Sequence, residues 1–354
     1  MDTIVHELAE TVRTAASNKS PLCIRGGGSK DFYGGAPRGE TLSVAAYRGI
    51  IDYEPSELVL TARAGTRLAE IETALRDKGQ MLAFEPPHFG PHTTLGGCIA
   101  AGLSGPRRAY AGAVRDAVLG VRMLDGKGDD LRFGGQVMKN VAGFDVSRLL
   151  AGSMGTLGVM LELSLKVLPV PVAEATLRFE HTAADAIATM NEWAGKPLPL
   201  SATAWHDGML HVRLSGAAAA VAAATKALGG ERLADEVAQR YWQDIREHTA
   251  AFFASAKALW RLSLKSTTPP LNLPGAQLFE WNGAVRWLAA DADATAVRAA
   301  AQFGGGHATL FRGGDKTTGV FQPLPPALLA IERNLKRTFD PAGIFNPGRL
   351  YDNF

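Results

Sequence analysis

Pro21-Leu22-Cys23-Ile24-Arg25-Gly26-Gly27-Gly28-Ser29-Lys30 carries a short apolar run straight into three consecutive glycines. Apolar runs of this length bounded by turn residues read as strands, so the chain is expected to leave a sheet directly into a glycine loop. Two more glycine-dense segments follow in the first half: Thr93-Thr94-Leu95-Gly96-Gly97-Cys98-Ile99-Ala100-Ala101-Gly102-Leu103-Ser104-Gly105 and Gly152-Ser153-Met154-Gly155-Thr156-Leu157-Gly158. Without a Cβ, glycine lets backbone N–H groups approach a bulky anion, and consecutive N–H groups in such turns form an anion-binding concavity. One triplet among 39 glycines reads equally as an ordinary turn, but three segments together point to a diphosphate. The first is not a G-x-G-x-x-G, because Asp31 holds the last glycine position, and no G-x-x-x-x-G-K-[ST] occurs, which demotes nicotinamide and P-loop folds.

Outward from these loops, Ile4, Val5, Leu8 and Val12 predict an opening amphipathic helix. Residues 58–64 read as a strand. Thr66 is expected to cap the next helix, whose Leu68, Ile71 and Leu75 share a face before Gly79 ends it. Residues 118–124 form a further strand, and 160–168 alternate as a half-exposed one, with Leu161, Leu163, Leu165 and Val167 on one face. The glycine loops stop near Pro169-Val170-Pro171, where prolines remove backbone donors and mark a boundary. Beyond it, Leu210, Val212, Leu214 and Trp260, Leu262, Leu264 alternate, with helices over 217–228 and near 231–253, predicting antiparallel strands with helices on one side. Leu328, Ile331, Leu335 and Phe339 predict a last helix that stops at Asp340-Pro341.

The 37 Lys and Arg against 35 Asp and Glu leave no positive excess to drive sequence-independent nucleic-acid binding. The two cysteines, Cys23 and Cys98, support neither a disulfide framework nor an iron–sulfur cluster. Residues 1–10 lack the pattern of a secretory signal, and the most apolar run, 217–224, is too short to span a bilayer. A cytoplasmic chain with no direct membrane span is the expectation.

Lys139-Asn140-Val141-Ala142-Gly143-Phe144-Asp145 followed by Gly152-Ser153-Met154-Gly155-Thr156-Leu157-Gly158 resembles the K-N-x-x-G-Y-D and G-S-E-G-T-L-G signature of the FAD-binding oxidases and dehydrogenases of the vanillyl-alcohol oxidase and p-cresol methylhydroxylase (PCMH) type. Phe339-Asp340-Pro341-Ala342-Gly343-Ile344-Phe345-Asn346-Pro347-Gly348-Arg349 is similar to that family's closing segment. Within the family, residues 26–34, the Leu103-Ser104-Gly105-Pro106-Arg107-Arg108-Ala109 stretch and the ending resemble the E-subunit family of bacterial glycolate oxidases. The resemblance implies an α+β architecture: a PCMH-type FAD-binding domain of two α/β subdomains over residues 1–170, a smaller antiparallel-sheet cap lobe over 171–325, and a C-terminal helix and tail over 326–354 returning to the FAD domain.

It further implies that Arg25, Gly26, Gly27, Gly28, Ser29 and Lys30 cradle the FAD diphosphate, with Thr94, Gly96, Gly97, Ala101, Gly102 and Gly105 near flavin and ribityl. Gly143, Gly155, Gly158 and Val159 complete the pocket, while Asn140 and Asp145 either ligate or cap turns. Members with covalent flavin carry a histidine after the first glycines. Ser29 stands there, so FAD is expected to be non-covalent. Implied partners are a catalytic flavoprotein subunit and an iron–sulfur subunit of the same complex, with a small 2-hydroxy acid such as glycolate as substrate, and a location peripheral to the inner membrane through those partners.

Oxidation of a 2-hydroxy acid needs a base for the hydroxyl proton and a cation for the carboxylate. The family's H-x-G-D-G-N-x-H segment is reduced to Gly304-Gly305-Gly306-His307, which leaves His307 as the one weak catalytic candidate. Met154 and Phe144 replace the family's glutamate and tyrosine. His206 and His211, five apart on a presumed strand, fall on opposite faces and do not suit a shared metal, and no metal is expected. His88 and His92 are loop histidines that either face the flavin or are solvated. Arg107 and Arg108 are either an anion grip or an interface pair. Three functions stand: an FAD-binding subunit of a glycolate-oxidising complex, a self-sufficient 2-hydroxy acid (D-lactate or glycolate) dehydrogenase, and a scaffold subunit without flavin.

Overall fold

The computed structural model describes residues 2–135 and 146–352. Asn140, Gly143 and Asp145 lie outside them. The opening helix Asp2–Asn18 buries Val5, Leu8, Val12 and Ala15 against Leu22, Leu42, Leu161 and Phe345. The strand Leu22–Arg25 pairs in parallel with Glu40–Ser43, and Phe345 from the chain's end forms a parallel bridge with Leu22 on its other side.

The second subdomain is an antiparallel sheet ordered Ile50–Glu54, Val59–Arg63, Val159–Lys166, Val118–Leu124 and Asp130–Gly134. Helices Leu68–Arg76 and Leu95–Ala101 cover it, with Leu68, Ile71, Leu75, Leu95 and Ile99 all fully buried. Val159–Lys166 is its central strand and is not half-exposed: Ser164 on the polar face hydrogen-bonds Thr61 at 2.9 Å, and Glu162 accepts from Tyr47 and Arg122. Partners within the sheet thus replace water. Thr66 does not cap the following helix. Its hydroxyl accepts from the Gly49 N–H at 2.8 Å, and Arg67 takes the N-cap position without a side-chain bond.

The cap is an eight-stranded antiparallel sheet beginning at Ala173–Glu180 and ending at His307–Gly313. Leu210, Val212 and Leu214 face helices Ala183–Ala194 and Ala218–Leu228, and Trp260, Leu262 and Leu264 face helix Ala294–Phe303. Helices are not confined to that side. Asp235–Glu247 lies on the inner face, where Trp242 packs on Ala202 and Ala204 and Tyr241 stacks on His211. His206 and His211 share this inner face, because Asp207-Gly208, both at positive φ, turns the chain back and puts them on two paired strands. An Asp-Gly pair between alternating runs is a strong hairpin signal. His206 hydrogen-bonds the Gln277 carbonyl at 3.0 Å.

A buried ion network fastens cap to base. Arg107 donates from Nε to Glu85 at 2.9 Å, from Nη1 to Ser215 at 3.0 Å, and from Nη2 to Glu174, while Arg213 reaches Glu85 at 2.8 Å. Burial alone raises the Glu85 carboxyl, but Arg213 and Arg107 outweigh it and hold it below its ordinary value. For Arg107, the structure selects the interface role.

Candidate functional site

Arg25, Gly26, Gly27, Gly28, Ser29, Lys30, Thr94, Gly97 and Ala101 line one cleft, together with Asp31, Met154, Asn346 and Arg349. The amide N–H groups of Gly26, Gly27, Gly28, Ser29 and Lys30 donate to no acceptor among the described residues. Buried or half-buried backbone donors are nearly always satisfied, so five successive free amides in a cleft fit an anionic guest.

Lys30 reinforces them. The residue is 8% exposed and its ammonium touches the Ser29 hydroxyl at 3.4 Å, the His88 carbonyl at 3.2 Å and the Phe89 ring, with no carboxylate in ion-pair range among the described residues. Burial pulls its pKa below the usual lysine value. A nearby phosphate would supply the missing counter-charge. Lys30→Met is therefore expected to weaken FAD binding by about tenfold or more, the worth of one charge-assisted hydrogen bond, with the dissociation constant read from flavin fluorescence.

The glycines divide into two kinds. A Cβ at Gly26 would overlap the Thr94 side chain and one at Gly27 would overlap the His92 carbonyl, so these two let the first loop lie flat on the second. Gly28, at φ 71°, makes a turn that other residues seldom adopt. Gly97 differs: its Cβ would meet only the Thr94 hydroxyl, 3.2 Å away, and otherwise project into the cleft. The amides of Gly96, Gly102 and Gly105 are already bonded to Ala64, Cys98 and Phe84 carbonyls, so their bareness serves packing against Ala64, Gly152 and Glu85. Gly155, Gly158 and Val159 do not line the cleft. Gly155 packs on Asn346, Gly158 on Met123, and Val159 is in the core between the subdomains.

The chain's end contributes residues that the glycine pattern does not reveal. Asn346 accepts from the Ile24 N–H at 2.7 Å and donates to the Met154 carbonyl at 2.6 Å. The Arg349 guanidinium grips the carbonyls of Tyr33 at 2.6 Å and of Asp31 at 3.2 Å, with Gly35 also bonded, and so fixes the segment that follows the glycines. Residues more than 300 positions away in the chain thus set the shape of the first glycine loop.

Ala101 and Met154 are shared with a second cavity, of about 310 Å³, between the base and the cap. It is lined by Tyr33, Gly102, Ser104, Arg108, Arg261 and Trp281 among others, and its described lining holds no histidine or carboxylate. His307 is exposed, and it pairs across the sheet with Ser263, which lines this cavity, so it stands at the rim and not inside. His88 is turned away into a hydrogen bond with Glu72 at 3.1 Å, and His92 is exposed.

Behind the cavity, Glu280 is 5% exposed and accepts one hydrogen bond from Trp287. Burial pushes its carboxyl up to about 7, against smaller lowering effects from Trp287 and Arg261. A carboxyl raised on folding stabilises fully below its unfolded pKa and loses that contribution as pH rises to the folded value. Glu280→Gln is therefore expected to gain stability over the unsubstituted chain as pH climbs from about 4.5 to above 7, by on the order of 3 kcal/mol at most. Urea denaturation at several pH values measures this, and a pH-independent difference would contradict it.

An FAD binding domain family matches residues 3–134. The glycolate oxidase subunit GlcE of Escherichia coli (strain K12) is 49% identical over 97% of this chain and 96% of its own length. The glycolate oxidase subunit GlcD of Bacillus subtilis (strain 168) is 30% identical over 51% of this chain and 39% of its own. Among solved structures, p-cresol methylhydroxylase with substrate bound superposes with a TM-score of 0.74 at 16% identity, covering 98% of this chain and 87% of that one, a likeness of fold. Identity along nearly the whole of both chains, joined to the FAD binding domain match and the shared fold, establishes that this chain belongs to the GlcE family of glycolate oxidase subunits, built on the PCMH-type FAD-binding fold.

Proposed function

We propose that the chain is the FAD-binding subunit of a glycolate-oxidising complex, in which a catalytic flavoprotein subunit oxidises glycolate to glyoxylate and an iron–sulfur subunit takes part in onward electron flow. The observation that carries the FAD assignment is the row of amides from Gly26 to Lys30 that, among the described residues, have no acceptor, beside a buried lysine with no carboxylate in ion-pair range among them. In this reading residues 1–170 and the returning tail 326–354 hold the cofactor, and 171–325 form the cap. Residues proposed to hold FAD are Arg25 to Lys30, Thr94, Gly97 and Ala101, with Gly96, Gly102, Gly105, Gly155, Gly158 and Val159 packing the elements behind the cleft. FAD, when bound, supplies electron transfer, and the chain's own residues hold its phosphates, exclude water and orient its ring end toward the cap.

The cavity lining offers no general base among the described residues, which favours a subunit that relies on partners for the chemical step. A second reading, a self-sufficient dehydrogenase, assigns the base to His307, favoured by its place opposite Ser263 at the rim. Anaerobic mixing of the purified, FAD-loaded chain with glycolate separates them. Retained flavin absorbance is the expected result, and bleaching without partners would favour His307. Acid precipitation should release the yellow colour to the supernatant, as Ser29 cannot bond to the flavin ring. Among the described residues no helix is long and apolar enough to cross a membrane, so attachment to a membrane is assigned to the partner subunits.

A further inference from the structure

Arg108 and Arg261 approach the same cavity from the base and from the cap, and both guanidinium carbons lie over the Trp281 ring, 4.8 and 5.2 Å from its centroid. Neither guanidinium makes an ion pair or hydrogen bond with any described residue. Two like charges held by one indole repel, and burial, with Arg108 adding to it, lowers the Arg261 pKa. Elsewhere in the interface a buried arginine is answered by a carboxylate, as Arg107 and Arg213 are by Glu85. Here Glu280 acts on Arg261 only from beyond ion-pair range, so neither guanidinium has a carboxylate in contact among the described residues.

What the site takes follows from its size and lining. The cavity adjoins the cleft through Ala101 and Met154, so a dinucleotide with its diphosphate on Gly26–Lys30 would bring its ring end here and leave room for a small molecule only. Planar forked guanidinium groups suit a carboxylate, and the hydroxyls of Ser104 and Ser263 and the phenol of Tyr33 line the same space. Tyr33 is the one described lining residue besides the arginines that titrates, and burial raises its pKa, so it is not a base near neutral pH.

We propose that Arg108 and Arg261 form a binding site for a small monocarboxylate of the glycolate or glyoxylate type, which this chain holds beside the flavin without oxidising it. The proposal rests on the FAD reading above and gives the cap a function of its own: the bound acid sets the charge next to the cofactor, and occupancy follows its concentration.

The test is isothermal titration calorimetry of the full-length, FAD-loaded chain with glyoxylate, with chloride and inorganic phosphate as separate titrants. Saturable glyoxylate uptake is expected, weakened about tenfold or more in Arg261→Met and in Arg108→Met, largely restored in Arg261→Lys, and with FAD affinity unchanged in all three. Equal uptake of chloride or phosphate would overturn the carboxylate assignment. So would loss of FAD together with glyoxylate in the Met variants, because the arginines would then serve the cofactor. A chain that holds FAD and takes up no glyoxylate overturns this proposal alone, whereas one that holds no FAD overturns the reading beneath it. Thermal melts of each variant without ligand identify a misfolded protein, in which case Arg108→Gln and Arg261→Gln, which keep a polar side chain but no charge, decide: weakened glyoxylate uptake with FAD retained supports the site, and unaltered uptake contradicts it.

Discussion

Asp340→Ala should cost about 3–5 kcal/mol of folding free energy, the loss expected when one member of a buried ion pair is removed and the other is stranded. Lys336 and Asp340 have side-chain exposures of 7% and 0% and meet at 2.7 Å. Lys336 also donates to the carbonyls of Thr156 and Phe345, each at 2.8 Å, and Asp340 accepts from the amides of Ile344 and Phe345. Burial lowers the lysine pKa and Asp340 opposes it. Without the carboxylate, the lysine charge keeps only carbonyl dipoles and two backbone donors lose their acceptor.

The damage should reach the cofactor cleft, because the same tail continues into it. Leu22 donates to the Ile344 carbonyl at 2.7 Å, Asn346 donates back to the Leu22 carbonyl at 2.9 Å, and Arg349 then clasps the loop beyond the glycines. Urea denaturation should show the shifted midpoint, and the purified variant should carry less FAD. A double substitution, Lys336→Met with Asp340→Leu, should recover part of the stability, since replacing both charges by apolar groups removes the stranded ion. Equal losses in the single and double variants would show that the pair itself matters less than the backbone bonds.

Gly97→Leu should reduce FAD affinity about a hundredfold or more, equivalent to roughly 2.7 kcal/mol, while leaving the apoprotein folded. A leucine there extends into the cleft past the Thr94 hydroxyl, and no backbone atom blocks its Cβ. The helix Leu95–Ala101 should tolerate the change, because glycine in a helix is itself unfavourable by about 0.5–1 kcal/mol relative to alanine. Gly27→Ala is expected to behave in the opposite manner. Its Cβ collides with the His92 carbonyl, so the two loops must separate and the apoprotein melt should fall together with cofactor binding. Thermal melts without FAD, paired with fluorescence titrations, distinguish a glycine kept bare for the ligand from one kept bare for its neighbour.

This contrast marks where sequence reasoning ends. The strand running into Gly26-Gly27-Gly28 and the opening helix could be read from residue order, since both depend on local pattern. Which surface each glycine faces could not, because Gly27 meets a carbonyl 65 residues away in the chain and Gly97 meets open space. Lys336 and Asp340, four apart near a helix end, look like an exposed pair until Ile344 and Phe345 fold over them. Neighbours also part company: Arg107 is consumed in the ion network, and Arg108 turns to Trp281. The hairpin at Asp207-Gly208 is a different case, because the Asp-Gly pair is itself a local turn signal, and the histidine spacing holds along one strand only if that turn is ignored. By contrast, the central position of Val159–Lys166 has no local signature, as it depends on which strands pair beside it.

The claim on which the account depends is that the main-chain amides from Gly26 to Lys30 bind the diphosphate of FAD. Hydrogen–deuterium exchange of these five amides, followed with and without saturating FAD and with riboflavin, which lacks the phosphates, tests it directly. The account predicts rapid exchange in the apoprotein, protection of about tenfold or more with FAD, and little change with riboflavin. Equal exchange at Gly26 to Lys30 with and without bound FAD would contradict it.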